Sequence, residues 1–219
     1  MAVEVRVPRE RLDRDAIVAA GVALADEDGV GALTMRNLAR RLGYEVMSLY
    51  NHVANKDEAL TGMVDAVAAE IDDAPPDVAP LEGVRAIAMS TRAALVRHPW
   101  AAELWLRQMP GPARTRQMEM LLRTLDQTGL SPELAHHGFH AVNNHVLGYT
   151  LQEIGMTRAN AGPDPTAKAH EFLDGISAET YPYTVAHVQQ HLNGDTSSSF
   201  ELVLDLILDG LVRLDAEAG

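Results

Sequence analysis

The chain has no cysteine, two lysines among 219 residues, and an aromatic content of 5%. Without a thiol there is neither a disulfide nor a thiolate metal centre. No stretch reaches the roughly 18 uninterrupted apolar residues that a bilayer-spanning helix needs. The opening residues, Met-Ala-Val-Glu-Val-Arg-Val-Pro-Arg-Glu-Arg, contain no signal-peptide core, so a cytoplasmic protein with no membrane partner is expected. Gly-x-Ser-x-Gly, His-Glu-x-x-His and a phosphate-binding loop are also missing. No catalytic residue, cofactor or metal site is assigned, and enzyme activity is not expected. Strand-type alternation and internal repeats are absent too, which leaves an all-α fold.

What remains is a hydrophobic content of 47% and a net charge of −13. Such a chain can bury a substantial core, and its charge excludes a body coated in nucleic acid. The charge is uneven, however. Residues 34 to 56 hold Arg36, Arg40, Arg41 and Lys56 against Glu45 alone, a local excess of +3. A negative body with one small basic face suits selective DNA binding with weak non-specific affinity.

That basic segment has helical periodicity. Met35, Leu38, Ala39 and Leu42 fall at i, i+3, i+4 and i+7, behind Thr34 as N-cap. Gly43 stops the helix, because glycine reaches the left-handed conformation at little cost. In a second helix Val46, Leu49 and Val53 form the inward stripe, and Glu45, Met47, Ser48, Asn51 and His52 face outward. Small polar, amide and imidazole groups suit a major groove. Asn55 and Glu58 then make a capping box for a helix over 55–72, with Lys56 at its start, where a phosphate could bind. The plain alternative is a helical hairpin with a solvated charged face.

The rest of the chain reads as helices at 10–28, 81–97, 99–108, 113–128, 131–155, 183–192 and 198–214. In the first, Leu12, Ala16, Ala19, Ala20, Ala23 and Leu24 are expected inward, with Gly29 as the stop. Three prolines in 75–80 mark a linker. The expected division is therefore a helix-turn-helix domain over 1–72, a linker over 73–80, and an effector-binding and dimerisation domain over 81–219. Residues 156–181, with Gly162, Pro163 and Pro165, read as a mobile connection. The last helix has a stripe of Phe200, Val203, Leu204, Ile207, Leu211 and Leu214, with Leu202, Leu206, Leu208 and Val212 making its other faces apolar as well. Burial on more than one side is expected, so Phe200, Val203, Leu204, Ile207 and Leu211 are assigned to a homodimer interface.

The segment Leu33-Thr34-Met35-Arg36, Leu38-Ala39, Leu42-Gly43 and Leu49-Tyr50-Asn51-His52-Val53 followed by Asn55-Lys56 resembles the DNA-binding domain of the tetracycline repressor (TetR) family. More loosely, Pro80-Leu81-Glu82-Gly83, Arg92 to Arg97, Leu147-Gly148 and Phe200 to Leu211 resemble its ligand domain. The resemblance implies a three-helix DNA-binding domain on a larger helical domain, acting as a dimeric repressor of an inverted-repeat operator and released by a small molecule. It makes Arg36 a base-reading arginine, sets Val46, Met47 and Ser48 against base edges, and gives Tyr50, His52 and Lys56 to phosphates. Thr34 and Asn51 complete the expected DNA-binding set.

On the ligand side the positions that hold magnesium-chelated tetracycline in that family are Ile87, Trp105 and Gln152 here. These side chains are poor magnesium ligands, so tetracycline is not the expected effector. Thr91, Gln108, Met118, Leu121, Phe139 and Asn143 complete the expected lining, a mostly apolar set suited to an uncharged aromatic or polycyclic molecule.

Two other classes stay open. Glu133 with His136 makes one Glu-x-x-His unit in a histidine-rich helix that also carries His137, His140 and His145, whereas a helical metal-dependent oxidase needs two such units and further glutamates. His187 and His191 form another i, i+4 pair. A dimeric DNA-binding protein with no effector is the other alternative.

Overall fold

The computed structural model describes residues 11–159, 164, 166–193 and 199–218, all in helices, turns and coil. The chain divides into two compact units, residues 1–73 with 93–120, and residues 74–92 with 121–219.

In the first unit α1 (Arg14–Asp28) starts where the Asp13 side chain accepts the amide of Ala16 at 2.8 Å, and ends at Gly29 with φ 78°. Its buried residues are Ile17, Val18, Gly21, Leu24 and Ala25. This corrects the expected alanine stripe, for Ala19 is exposed and Ala16, Ala20 and Ala23 are only half-buried. Larger branched side chains remove more apolar area from water, so the helix turns Ile17 and Val18 inward. A single 3-10 turn, Val30–Ala32, leads to α2 (Met35–Leu42), which is capped by Thr34 and closed by Gly43 at φ 71°. α3 (Val46–Leu49) is shorter than its periodicity predicts. The chain leaves it through a turn in which the amides of His52 and Val53 both bond to the Leu49 carbonyl.

The capping of α4 (Lys56–Ala69) is close to that expected, as Asn55 accepts the Glu58 amide at 2.8 Å and Glu58 reaches back to the Ala54 amide at 2.6 Å. α1 and α4 pack closely. A Cβ added at Gly21 would meet Met63, and one at Gly62 would meet Val18. Residues 93–97 of α5 (Pro80–Arg97), α6 (Pro99–Leu104), and α7 (Pro112–Asp126) up to Met120 complete this unit. α6 is shorter than expected and stops at Leu104.

The second unit holds the remainder of α5 and α7 with α8 (Pro132–Ala159), α9 (Ala167–Asp174), α10 (Pro182–Leu192) and α11 (Ser199–Ala218). α8 and α11 form its main pair. Gly138 lets them approach, because a Cβ there would lie 2.9 Å from Leu211. Asp215 of α11 accepts the Ser131 amide just before α8 at 2.9 Å, and Arg85 of α5 pairs with Asp205. Phe200 is fully buried, stacked on His145 with ring centres 4.6 Å apart and edge-on to Tyr149. The Arg92 guanidinium lies 4.9 Å from the Phe200 ring centre and bonds Glu153 at 2.7 Å.

The expected connection over 156–181 is corrected, since α8 continues to Ala159 and α9 forms within it. Gly162, Pro163 and Pro165 lie outside the described residues.

Candidate nucleic-acid interface

The arrangement of α2 and α3 follows from what they bury. Leu38, Ala39, Leu49 and Val53 are buried, which leaves the opposite surfaces in solvent. Thr34, Arg36, Met47, Tyr50, Asn51, His52 and Lys56 are exposed, while Val46 and Ser48 are half-exposed. Met47 is 73% exposed, against 42% for Tyr50. Arg36 has no hydrogen bond or ion pair among the described residues. Its guanidinium is free to grip guanine O6 and N7.

Thr34 does two jobs. Its Oγ1 accepts the Asn37 amide at 3.0 Å as the helix cap, and its hydroxyl proton remains available to a phosphate. Asn37 in turn donates to the Ala32 carbonyl at 2.6 Å, which holds the start of α2 against the preceding turn. Lys56 opens α4, beside first-turn amides suited to an anion.

The basic face is smaller than the residue count suggests. Arg41 is taken by Glu27 of α1. Hydrogen bonding to Arg41 holds the Glu27 carboxyl below its ordinary range, and the same contact raises the Arg41 guanidinium. Arg40 donates to the Asn37 side chain at 3.0 Å, so among the described residues of 34–56 Arg36, Arg40 and Lys56 are the cations with no acidic partner.

A second feature of this unit was not visible in the sequence pattern. On α4, Asp65 accepts the amides of Ala113 and Arg114 at 3.1 and 2.9 Å and so caps α7. Thr61 donates to the Gln108 side chain at 2.8 Å. Arg114 donates to the Gln108 carbonyl and lies 4.9 Å from the Trp105 ring centre. Burial lowers the Arg114 guanidinium and the Asp65 charge opposes that shift. A Cβ at Gly111 would sit 2.5 Å from the Asp65 carboxyl carbon, so Asp65 would have to shift from the two amides to admit it. The partners of Thr61 and Asp65 lie 47 to 49 residues away, beyond the reach of any periodicity.

The expected effector residues divide between the units. Trp105 (buried), Gln108 (half-buried) and Met118 (exposed) belong to the first. Ile87, Thr91 and Leu121 (buried), Phe139 and Asn143 (half-buried) and Gln152 (exposed) belong to the second. The hydroxyl of Thr91 is spent on the Ile87 carbonyl at 2.8 Å. An open cleft of about 450 Å³ in the second unit is lined by Thr166, His170, Gln189, Leu192 and Asn193, none of them in the expected set.

The interface residues assigned to the last helix need correction. Phe200, Leu204 and Leu211 are buried within the chain's own unit, where α8 covers them. The exposed apolar side chains of α11 are Leu202, Val203, Leu206, Val212 and Leu214, with Ile207 half-buried. Among the histidines, the rings of His136 and His140 meet edge-on at 4.6 Å, as do those of His187 and His191. Among the described residues no three His, Asp or Glu side chains are placed to hold a metal. Glu133 and His136 are both exposed.

An exposed, lightly basic helix pair on a small helical unit, followed by a longer helical region, defines a helix-turn-helix DNA-binding regulator. Residues 17–61 match the family model for bacterial regulatory proteins of the tetR family, and residues 81–214 match that for the tetracyclin repressor-like C-terminal domain. The chain belongs to the TetR family of DNA-binding transcriptional repressors and carries that family's tetracyclin repressor-like C-terminal domain.

An HTH-type transcriptional regulator of Saccharopolyspora erythraea is 37% identical over 65% of this chain and 61% of its own length. The HTH-type transcriptional repressor DrrR1 of Streptomyces coeruleorubidus is 30% identical over 97% of this chain and 82% of its own. Among solved structures, the Streptomyces coelicolor TetR family protein ActR in complex with actinorhodin superposes with a TM-score of 0.81 at 29% identity, covering 95% of this chain and 99% of that one. BioQ with its double-stranded DNA operator gives 0.67 at 25% identity, covering 93% and 99%. These relatives are regulators, and no helix of the described residues is long and apolar enough to cross a membrane.

Proposed function

We propose that this protein works as a homodimer on an inverted-repeat operator, and that a small, mostly apolar effector other than magnesium-tetracycline releases it. One observation carries the DNA-binding part: the exposed set of Arg36, Met47, Tyr50, Asn51, His52 and Lys56, presented by helices whose other sides are buried. Arg36 reads a guanine, and Met47 with Val46 suits the methyl of thymine. Tyr50, His52 and Lys56 hold phosphates, which position the protein without specifying sequence. Solved relatives bind a DNA operator in one case and actinorhodin in another.

The dimer reading rests on α8 and α11. Leu202 and Leu206 stand 62% exposed on the outer side of α11. On α8, Leu151 is exposed between Gly148 and Gly155, and a Cβ built at either glycine would touch nothing. Glycines without cover let a second pair of helices approach closely, and exposed leucines supply apolar area for it. α9 and α10 bury no residue within the chain, so cover from a second copy would stabilise them too. A twofold dimer places its recognition helices about 34 to 36 Å apart, one turn of B-DNA.

The effector reading rests on residue chemistry. Ile87, Trp105, Met118, Leu121 and Phe139 are apolar, and Thr91, Gln108, Asn143 and Gln152 are neutral, so the set offers no carboxylate to a chelated cation. Mobility shift on DNA from around the protein's own gene, repeated with a panel of apolar aromatic compounds, tests the proposal. A competitor-resistant shift released by one compound supports it. No shift on any fragment overturns the operator reading, and a shift that no compound releases favours a DNA-binding dimer without effector.

A further inference from the structure

His98 lies at the joint between α5 and α6, within the first unit, and is only 6% exposed. Its Nδ1 is 2.8 Å from Asp26 Oδ1 on α1, and its Nε2 is 3.1 Å from Glu70 Oε1 at the end of α4. An ionised carboxylate accepts hydrogen bonds and cannot donate them, whereas a neutral imidazole has a single N–H. Only the doubly protonated imidazolium fills both contacts. A neutral ring would turn a nitrogen lone pair on one of the two carboxylates, and burial makes that contact costly.

The groups facing the ring are charged or polar on each packed element. From α1 comes Asp26, which also accepts the Trp100 indole N–H at 2.6 Å. From α4 comes Glu70, which also pairs with Arg97 of α5. Trp100 of α6 approaches the imidazole edge-on at 6.1 Å. One ring therefore ties together α1, α4 and the α5–α6 joint. α1 packs on both α2 and α4, so the tie reaches the helices that carry the DNA-binding face.

We propose that His98 is a proton-operated clamp on the DNA-binding unit. As imidazolium it holds α1, α4 and the α5–α6 joint in the arrangement that binds operator, and loss of a ring proton at higher pH loosens the tie and weakens binding. The inference rests on the operator reading above. The doubly protonated ring is the form with two partners in the fold, so the tie is weaker whenever one ring proton is absent.

The test uses the full chain at constant ionic strength, from about pH 6 to about pH 8.5, the range in which histidines change charge. Operator affinity is measured by anisotropy in the otherwise native chain. In Trp105→Phe, Trp100 is the single indole left, and imidazolium quenches indole emission. Emission should rise and affinity fall with one midpoint, the affinity by about fivefold or more. Both changes should vanish in His98→Gln, apart from any contribution of His52, which touches the DNA face and leaves Trp100 emission alone.

An unchanged pH profile of affinity in His98→Gln overturns the proposal, as does a Trp100 titration with flat affinity. Should His98→Gln fail to fold, nitrogen-15 NMR of the native protein decides, since a His98 ring neutral throughout the range also overturns it. Absence of DNA binding at every pH overturns the operator reading itself, and the Trp100 titration would then still report whether the clamp exists.

Discussion

Arg41 closes on Glu27 through both guanidinium nitrogens, at 2.7 and 2.6 Å, and thereby ties α2 to α1. The pairing offsets its charge beside the basic face. Arg41→Ala should therefore change the salt dependence of operator binding less than Lys56→Ala does, which parallel salt titrations would show.

The same pair has a pH signature. Because the Glu27 carboxyl is held below its ordinary range by Arg41, its contribution to stability is present above the ordinary carboxylate value and is lost as the pH falls through the lowered one. Glu27→Gln should flatten the acid limb of a melting-temperature profile. It should lower the neutral and alkaline plateau without changing its shape, and converge with the native protein at the acid end.

At the DNA face the two cations should separate by kind. Arg36→Ala is expected to cost about 1 to 3 kcal/mol on the operator and little on random DNA, whereas Lys56→Ala should weaken both alike and lower the salt slope by about one. Anisotropy on operator and scrambled duplexes decides this. Equal losses for Arg36→Ala on both would remove it from base reading.

The Asp65 cap on α7 should be measurable as stability. Asp65→Ala leaves the amides of Ala113 and Arg114 without their acceptor, at a cost of about 1 to 2 kcal/mol in thermal or urea unfolding. Gly111→Ala should destabilise for a different reason, the clash of its Cβ with the Asp65 carboxyl. In the double variant that clash is gone, so the two losses should fall short of their sum.

Phe200 and Leu206 sit on one helix with opposite fates. Phe200→Ala should cost about 3 to 5 kcal/mol of stability, since it empties a fully buried aromatic site. Leu206→Glu should leave the fold of the protomer intact and split the dimer in sedimentation velocity. A Leu206→Glu protein that sediments as the native one does would place the interface elsewhere.

The helix-turn-helix was legible because its signals are local. Thr34, Gly43 and Asn55 act on amides and carbonyls within about four residues, and the periodicity of Leu38, Ala39 and Leu49 names the buried side directly. The same rule failed where it had no contrast to use. α1 offers two adjacent apolar registers and α11 is apolar nearly all round, so the pattern does not choose the face: at α1 Leu12 and Leu24 are buried but Ala16, Ala19, Ala20 and Ala23 are not, and on α11 Val203 is exposed whereas Phe200, Leu204 and Leu211 are covered.

The all-helical class and the capped helix pair with its exposed residues follow from the order of side chains along the chain, because each depends on neighbours one or two turns away. Tertiary packing alone decided which face of α11 is covered, that Arg41 belongs to Glu27, that Asp65 caps α7, and that His98 stands between Asp26 and Glu70. Those partners are 14 to 72 residues apart, and such pairs meet only when whole helices come together to bury their apolar sides.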